Sequence, residues 1–426
     1  MRALARLKGR RTVATKKSQP SLKVWLDDPA FGPLQHIGTL HKIGLDGVRF
    51  TYSKEWLKSP VAFQLDPALS LDSGDFYPAD SNFGVFLDSC PDRWGQVLMQ
   101  RRETLEAKEE GRTKVTLRAW EFLCGVQDHT RMGALRFSVE DDPTFLANEL
   151  LAAPPVSSLA ELQHVALELS RKKFDDMTKL LRWLKVLVAP GASLGGARPK
   201  ANLSEAGEMW IAKFPSSDDD RDVALWEKLL HDLAARCGID VPPSRLVRVG
   251  NEYHTFMVKR FDRVNGERRF FTSAMTLLNK SDKEPATYID LAQFISEQGS
   301  PPHISEDLRQ LFLRVVFNVA MANRDDHLRN HGFIRTPFGW RLSPAYDMNP
   351  SIKKEEHVLG IDEGLHEPSL ESVFETAVYY RLKDEEASSL MDQVLAVVST
   401  WKVHAKSLGI SAADVHEMES LFIIEK

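Results

Sequence analysis

The sequence predicts an α+β protein in which strands gather in the first half and at its middle, and helices fill the rest. Three observations predict this. Short apolar runs closed by turn residues recur between Leu22 and Phe137 and again between Met209 and Phe261. Helical spacing sets in at Leu159, Leu162, Val165, Ala166 and Leu169 and returns strongly at Leu308, Leu311, Phe312, Val315, Val316, Val319 and Ala320. That last helix runs into an unusually polar stretch, Asn323-Arg324-Asp325-Asp326-His327-Leu328-Arg329-Asn330, which a buried helix end would hold rigidly.

Composition narrows the class. The 426 residues, 43% hydrophobic and 27% charged, are those of a globular protein with room for more than one core. A net charge of -5 gives no overall drive toward nucleic acid or an anionic membrane, so such contacts would have to be local. Cys90, Cys124 and Cys237 are widely spaced and form no C-x-x-C, which argues against a disulfide framework or a zinc site and fits a reducing compartment. No apolar run nears the roughly 18 residues of a membrane helix and no signal peptide is evident, so a cytoplasmic location without a membrane partner is expected.

Taken in order, residues 1–21 form a basic leader, with Arg2, Arg6, Lys8, Arg10, Arg11, Lys16 and Lys17 and no acid before Leu22. A solvated, disordered terminus accounts for it, although a nucleic-acid arm or a transit peptide has the same composition. Leu22–Leu26, Gly38–Leu40 and Val48–Tyr52 read as strands of a small sheet. Phe83–Gly95 reads as a buried helix end, with Pro91 starting a helix through Met99 to Arg102, and Arg131–Phe137 as a closing strand. The charged run from Glu103 to Lys114 reads as a solvated face. Ala152-Ala153-Pro154-Pro155 marks a boundary before the helices at 159–169 and 177–184, both of which read as core.

Gly191-Ala192-Ser193-Leu194-Gly195-Gly196-Ala197-Arg198-Pro199-Lys200 matches no standard phosphate-loop pattern. Its glycines would nevertheless let backbone amides approach phosphate oxygens, while Arg198 and Lys200 offset charge. A simple turn is the competing reading. Met209–Phe214 is a strand carrying Lys213, which is either an edge-strand charge or a lysine reaching nucleotide phosphates. Glu227 falls within a helix that opens after Ser216-Ser217-Asp218-Asp219-Asp220 and ends at Gly238. Leu246–Val249 and His254–Phe261 read as two more strands, the second crossing to the helical half.

Asp325 and Asn330 stand five apart, the spacing of the base and the metal-binding Asn in the H-R-D-x-x-x-x-N loop of protein kinases, with Asn323 where those enzymes have His. A hairpin over Gly332–Arg335 and Trp340–Leu342 would return Asp347 beside that loop, in the position of the D-F-G aspartate. Phosphoryl transfer needs an aspartate to orient and deprotonate a hydroxyl, oxygen ligands for Mg²⁺, and a lysine braced by a glutamate. Lys213, Glu227, Asp325, Asn330 and Asp347 supply that set in kinase order.

The chain resembles the HipA-type serine/threonine kinases of bacterial toxin–antitoxin systems. The likeness rests on Ser193–Lys200, Ile211-Ala212-Lys213, Glu227 followed by Gly238–Pro242, Val258–Arg263, Asp325–Asn330 and Leu342–Asp347, and weakly on Phe86–Arg93. The resemblance implies a two-lobed, protein-kinase-like fold whose N-lobe sheet is enlarged by an extra N-terminal module and whose C-lobe is mainly helical. It implies an N-terminal subdomain over 22–150, the rest of the N-lobe over 151–258, and a C-lobe over 259–426. It further implies ATP and Mg²⁺ as cofactors, Asp325 as base, Lys213 as the phosphate lysine oriented by Glu227, and Asn330 and Asp347 as metal ligands. Gly195, Gly196, Ala197, Arg198 and Lys200, the hinge Lys259, Arg260 and Phe261, and His327 and Tyr346 would line the ATP site. Ser193 resembles the serine that such kinases phosphorylate on themselves.

Family members phosphorylate proteins such as aminoacyl-tRNA synthetases and are restrained by a small DNA-binding antitoxin. No helix-turn-helix segment is evident in this sequence, so a HipB-like antitoxin would be a separate chain and DNA would be met only through it. The loop departs from the best-known members at Arg198-Pro199, where they have Gln-Glu, and the hinge departs at Lys259, where they have an acid. Two rival readings are a small-molecule kinase on the same fold and a pseudokinase or DNA-associated binding subunit.

Overall fold

Alternation in Ser21–Leu26 (β1) buries Leu22, Val24 and Leu26 on one face and leaves the other half-exposed, and this strand seeds the first sheet. The computed structural model describes residues 20–139, 144–146, 153–171, 198–250 and 253–425. The leader before Pro20, the helix expected at 177–184 and the loop residues Ser193, Gly195, Gly196 and Ala197 lie outside them. Around β1 are arranged β2 (Gln35–Ile43), β3 (Gly47–Tyr52), β4 (Asp75–Phe76) and β5 (Leu135–Ser138), in the antiparallel order β4-β3-β2-β1-β5. Gly38 is required in β2, since a Cβ there would lie 2.4 Å from the Thr51 carbonyl oxygen. Phe50, Phe83, Phe86 and Phe137 pack edge to face or tilted beneath the sheet.

The next helix starts at Arg93 rather than Pro91, because the Asp92 carboxylate accepts from the Gly95 amide at 2.8 Å and makes Asp92 the N-cap. It continues to Glu109, beyond the expected end, and the charged run is not wholly solvated. Glu103 is buried and accepts from Arg112 and from the Val115 amide. Leu159–Arg171 forms the expected helix, with Leu159, Leu162, Val165, Ala166 and Leu169 in the core.

The second sheet has the order β6-β7-β9-β8, from β6 (Lys200–Glu205), β7 (Glu208–Lys213), β8 (Ser244–Val247) and β9 (Thr255–Lys259). β7 is flanked on both sides, so the edge-strand reading of Lys213 is excluded by topology. The helix Val223–Arg236 lies over this sheet with Leu229, Leu230 and Leu233 fully buried, and its chain reverses at Gly238 with φ +82°.

Beyond Lys259 the chain is mainly helical. Ile304–Ala320 is buried over most of its length and packs on Asp384–Val398 and Tyr288–Gln298. The expected hairpin is present as β13 (Gly332–Thr336) and β14 (Gly339–Leu342), joined by β12 (Phe271–Ser273) to make a three-stranded sheet. A short ribbon of β10 (Arg263–Val264) and β11 (Glu267–Arg268) precedes it. No helix among the described residues is long and apolar enough to cross a membrane.

The first module is bolted to the rest by buried charge. Asp262 takes Arg260 at 2.7 Å, Arg263 at 2.6 Å and the Gly133 amide at 2.8 Å, while Arg260 and Arg263 donate onward to the carbonyls of Thr130 and Arg131. Asp28 accepts from the Phe270 amide, and Asp88 accepts from the Ser273 amide and hydroxyl. Burial pushes the Asp88 carboxyl up to about 6 despite those bonds.

Candidate active site

The last residue of β7 carries its ammonium into a cleft between the second sheet and the helical half. Lys213 Nζ lies 2.5 Å from Glu227 Oε1 and 2.6 Å from Asp347 Oδ1. Glu227 reaches it from the helix Val223–Arg236, whose apolar stripe on the core fixes which way this carboxylate faces. Burial disfavours the ammonium, but Asp347 and Glu227 more than offset this and raise its pKa. Burial would likewise raise Asp347, yet Lys213 and Lys200 hold it below its usual range, whereas the more deeply buried Glu227 is pushed up.

Asp347 has φ +59°, a left-handed conformation that Asp tolerates better than most residues. Its neighbour Tyr346 donates to the Arg329 carbonyl at 2.9 Å and stacks on Phe261 with centroids 5.5 Å apart. The loop holding Asp325 is itself clamped from below. Buried Asp326 accepts from Tyr288 Oη at 2.8 Å and Asn318 Nδ2 at 2.9 Å, and it faces His331 Nε2 at 2.7 Å. Burial opposes ionisation of Asp326, but His331 and these bonds keep its pKa low. Asn323 donates to Asn318 Oδ1 at 3.0 Å and accepts from the Asn349 amide at 3.3 Å, tying the loop to the segment after Asp347.

Above that clamp the Asp325 side chain is 63% exposed and pairs with Lys354 Nζ at 2.6 Å. Asn330 is buried, with Oδ1 lacking a hydrogen-bond partner among the described residues, and Nδ2 directed at the Asp325 carbonyl. His327 Nδ1 is likewise buried without a partner among them.

Two cations near the expected nucleotide contacts have protein partners. Arg198 makes a fork on Asp219 at 3.0 and 2.7 Å, and the Arg260 guanidinium points away from the cleft into the seam with the first module. Asp262 and distant carbonyls hold the Arg260 side chain, so what Arg260 offers as a hinge residue is its backbone. In the hinge, the Lys259 and Arg260 amides donate to Pro243 and Met209 carbonyls, Lys259 Nζ lies 3.0 Å from Glu208, and Phe261 faces Tyr346. Lys200 is buried in the cleft wall against Asp92 at 2.7 Å.

The cleft has walls that residue-type reasoning missed. Ile211, Phe256, Val258 and Met348 are apolar, and His231 lies one helical turn beyond Glu227. Ile211 could have been found from strand period, since it shares a face with Lys213, and His231 from helix period. Burial, followed by Lys228, lowers the His231 pKa to about 4, so the ring is neutral at pH 7.

Two family models match the chain, the HipA N-terminal domain over residues 22–138 and the HipA-like C-terminal domain over 192–401. HipA of Shewanella oneidensis MR-1, solved with HipB and its operator DNA, shares the fold at 18% identity, covering 94% of this chain and 95% of that one with a TM-score of 0.66. A protein of Haemophilus influenzae with a provisional kinase name is 28% identical over 181 residues, 37% of this chain and 52% of its own. The similarly named Y4dM protein of Sinorhizobium fredii is 29% identical over 164 residues, 34% of this chain and 38% of its own. The chain thus spans about half or less of these curated relatives. Both family models fall in order on the two parts of this α+β, kinase-like fold, and the chain belongs to the HipA family.

Proposed function

We propose that the protein is an ATP- and Mg²⁺-dependent serine/threonine protein kinase of the HipA toxin type. In this reading it acts in the cytoplasm on a cellular protein, an aminoacyl-tRNA synthetase being one such target, and on its own Ser193. The observation that carries the reading is Lys213 between Glu227 and Asp347, facing a loop on which Asp325 and Asn330 are rigidly spaced. The residues fit the metal: the Asn330 Oδ1, which has no partner among the described residues, and the Asp347 carboxylate are oxygen donors of the kind Mg²⁺ takes. When bound, Mg-ATP supplies the phosphoryl group and neutralises its charge. Lys213 adds a fixed positive charge at the phosphate oxygens, and Glu227 fixes its direction. Asp325 receives the proton of the acceptor hydroxyl, and its exposure suits an acceptor carried on a macromolecule.

A HipB-like antitoxin on a separate chain would restrain this activity, as suggested by the Shewanella complex, and would provide any DNA contact. Phosphate on Ser193 would add about -1.5 to -2 charges shortly before Arg198 and Lys200 in the chain and so oppose nucleotide binding.

The test is transfer of labelled phosphate from Mg-ATP to proteins of a cell extract and to the protein itself, with mass spectrometry of the products. Label on Ser or Thr of a target and on Ser193 in wild type, absent in Asp325→Asn, is expected. Transfer to small molecules alone would replace the protein acceptor, and no transfer at all would remove the kinase reading.

A further inference from the structure

Lys200 and Lys213 stand directly opposite each other in the antiparallel pair β6–β7, so both side chains project from the same face of the sheet into the same cleft. Like charges in that register repel, and both are buried, with side-chain exposures of 3% and 11%. Each is tolerated because a carboxylate from outside the pair of strands meets it. For Lys213 that is Glu227. For Lys200 it is Asp92, which comes from the first module, 108 residues away in the chain.

Both oxygens of Asp92 are committed. Oδ1 accepts from the Gly95 amide at 2.8 Å as the cap of helix Arg93–Glu109, and Oδ2 lies 2.7 Å from Lys200 Nζ. A carboxylate fixed at both oxygens fixes the ammonium it holds. Stapling the first module does not require this pair, since Asp28, Asp88 and Asp262 already bridge the seam. Nor is stability a sufficient reason for it, because buried ion pairs seldom stabilise more than well-packed apolar side chains would.

Building on the kinase reading, we infer that Asp92 is a positioning residue of the nucleotide site: it aims Lys200 at the polyphosphate as Glu227 aims Lys213. The first module then completes the site, and two lysine–carboxylate pairs face one polyanion. The Phe86–Arg93 stretch, otherwise a helix junction, acquires a role in recognising nucleotide charge.

The measurement is calorimetric titration of the full-length protein with Mg-ATP and, separately, with adenosine, which lacks phosphate. Asp92→Asn keeps a capping side chain and removes the charge. Asp92→Glu keeps the charge and shifts it by a methylene, and it serves if the unpaired buried Lys200 prevents the first variant from folding. Each should weaken Mg-ATP roughly tenfold or more, the scale of one charge-assisted hydrogen bond, with adenosine affinity unchanged within about twofold. Lys200→Met should match them, and Asp92→Asn/Lys200→Met should be no weaker than Lys200→Met alone. Wild-type affinity for Mg-ATP in a folded Asp92 variant, or equal losses for adenosine and Mg-ATP, would overturn the inference while leaving the kinase reading in place. A wild-type protein that binds neither ligand would end both.

Discussion

Lys213 and Lys354 each lie 2.6 Å from an aspartate oxygen, Asp347 for one and Asp325 for the other, but the surroundings of the two pairs differ. At the inner end of the cleft the side chains of Lys213, Glu227 and Asp347 are 11, 4 and 26% exposed, whereas at the outer end Lys354 and Asp325 are 40 and 63% exposed. Equal distances therefore carry unequal energies. Removing one member of a buried pair strands charge out of water, while an exposed pair is screened and trades freely with solvent. The inner pair is held in place by burial, and the outer pair is open to solvent.

The largest effects should separate these ends by stability rather than by activity. Asp325→Asn and Lys213→Ala should each lower phosphoryl transfer by on the order of 10²–10⁴-fold, the range of a general base or a preorganised charge. Asp325→Asn should leave unfolding free energy within about 0.5 kcal/mol of wild type. Lys213→Ala, which leaves Glu227 and Asp347 facing each other, should cost about 3–5 kcal/mol. Denaturant titrations of both variants give the comparison, and equal losses of stability would break it.

A smaller effect of the same kind concerns His231 at the inner end. Its pKa is about 4 in the folded protein against an ordinary 6.5, chiefly from burial and then from Lys228. The folded state thus binds this proton less well than the unfolded chain does. Stability is complete above pH 6.5 and falls as pH drops toward 4, by up to about 3 kcal/mol from this group. His357, also lowered to about 4, adds a parallel loss, so the diagnostic is the difference between wild type and His231→Gln across that window. A variant with the same acid slope as wild type would show that His231 is not held neutral by the cleft.

What could be read in advance follows the same division. That Lys213, Glu227 and Asp347 come together was legible because phosphoryl transfer dictates such types and the chain presents them in order, as it does the proposed Asp325 and Asn330. The helix ending at Ala320 and the hairpin after Asn330 were legible from period alone. The partners of the Arg260 side chain were not legible, because the fate of a long cation depends on Asp262 and on carbonyls 129 and 130 positions away, which no local pattern encodes. Asp92 looked like a helix cap and is one; only the packing of two modules shows that its second oxygen reaches Lys200. Lys354 belongs to no motif, and its pairing with Asp325 is a product of how the segment after Asp347 is laid down.

That segment gives the smallest expected effect and the sharpest probe of the outer end. Its backbone is fixed independently of the Lys354 side chain: the Ser351 amide donates to the Ala322 carbonyl, Arg324 Nη1 to the Lys354 carbonyl, and the Val358 amide to the Arg324 carbonyl. Lys354→Ala should therefore remove the ion pair without moving the loop, and an exposed pair is worth about 0–1 kcal/mol. In the proposed reading Lys354 covers the carboxylate that receives the acceptor's proton, so its loss should raise kcat/KM for a protein acceptor, by no more than about fivefold. The gain should be greatest at low ionic strength, where the wild-type pair is least screened, and should shrink as salt approaches the range where the Debye length falls to a few ångströms. Steady-state rates of both proteins across a salt series decide the matter. A gain that follows salt in this way marks an exchangeable cover over Asp325, whereas a hundredfold loss in Lys354→Ala would place Lys354 among the groups that act on the transferred phosphoryl and would erase the contrast between the two ends of the cleft.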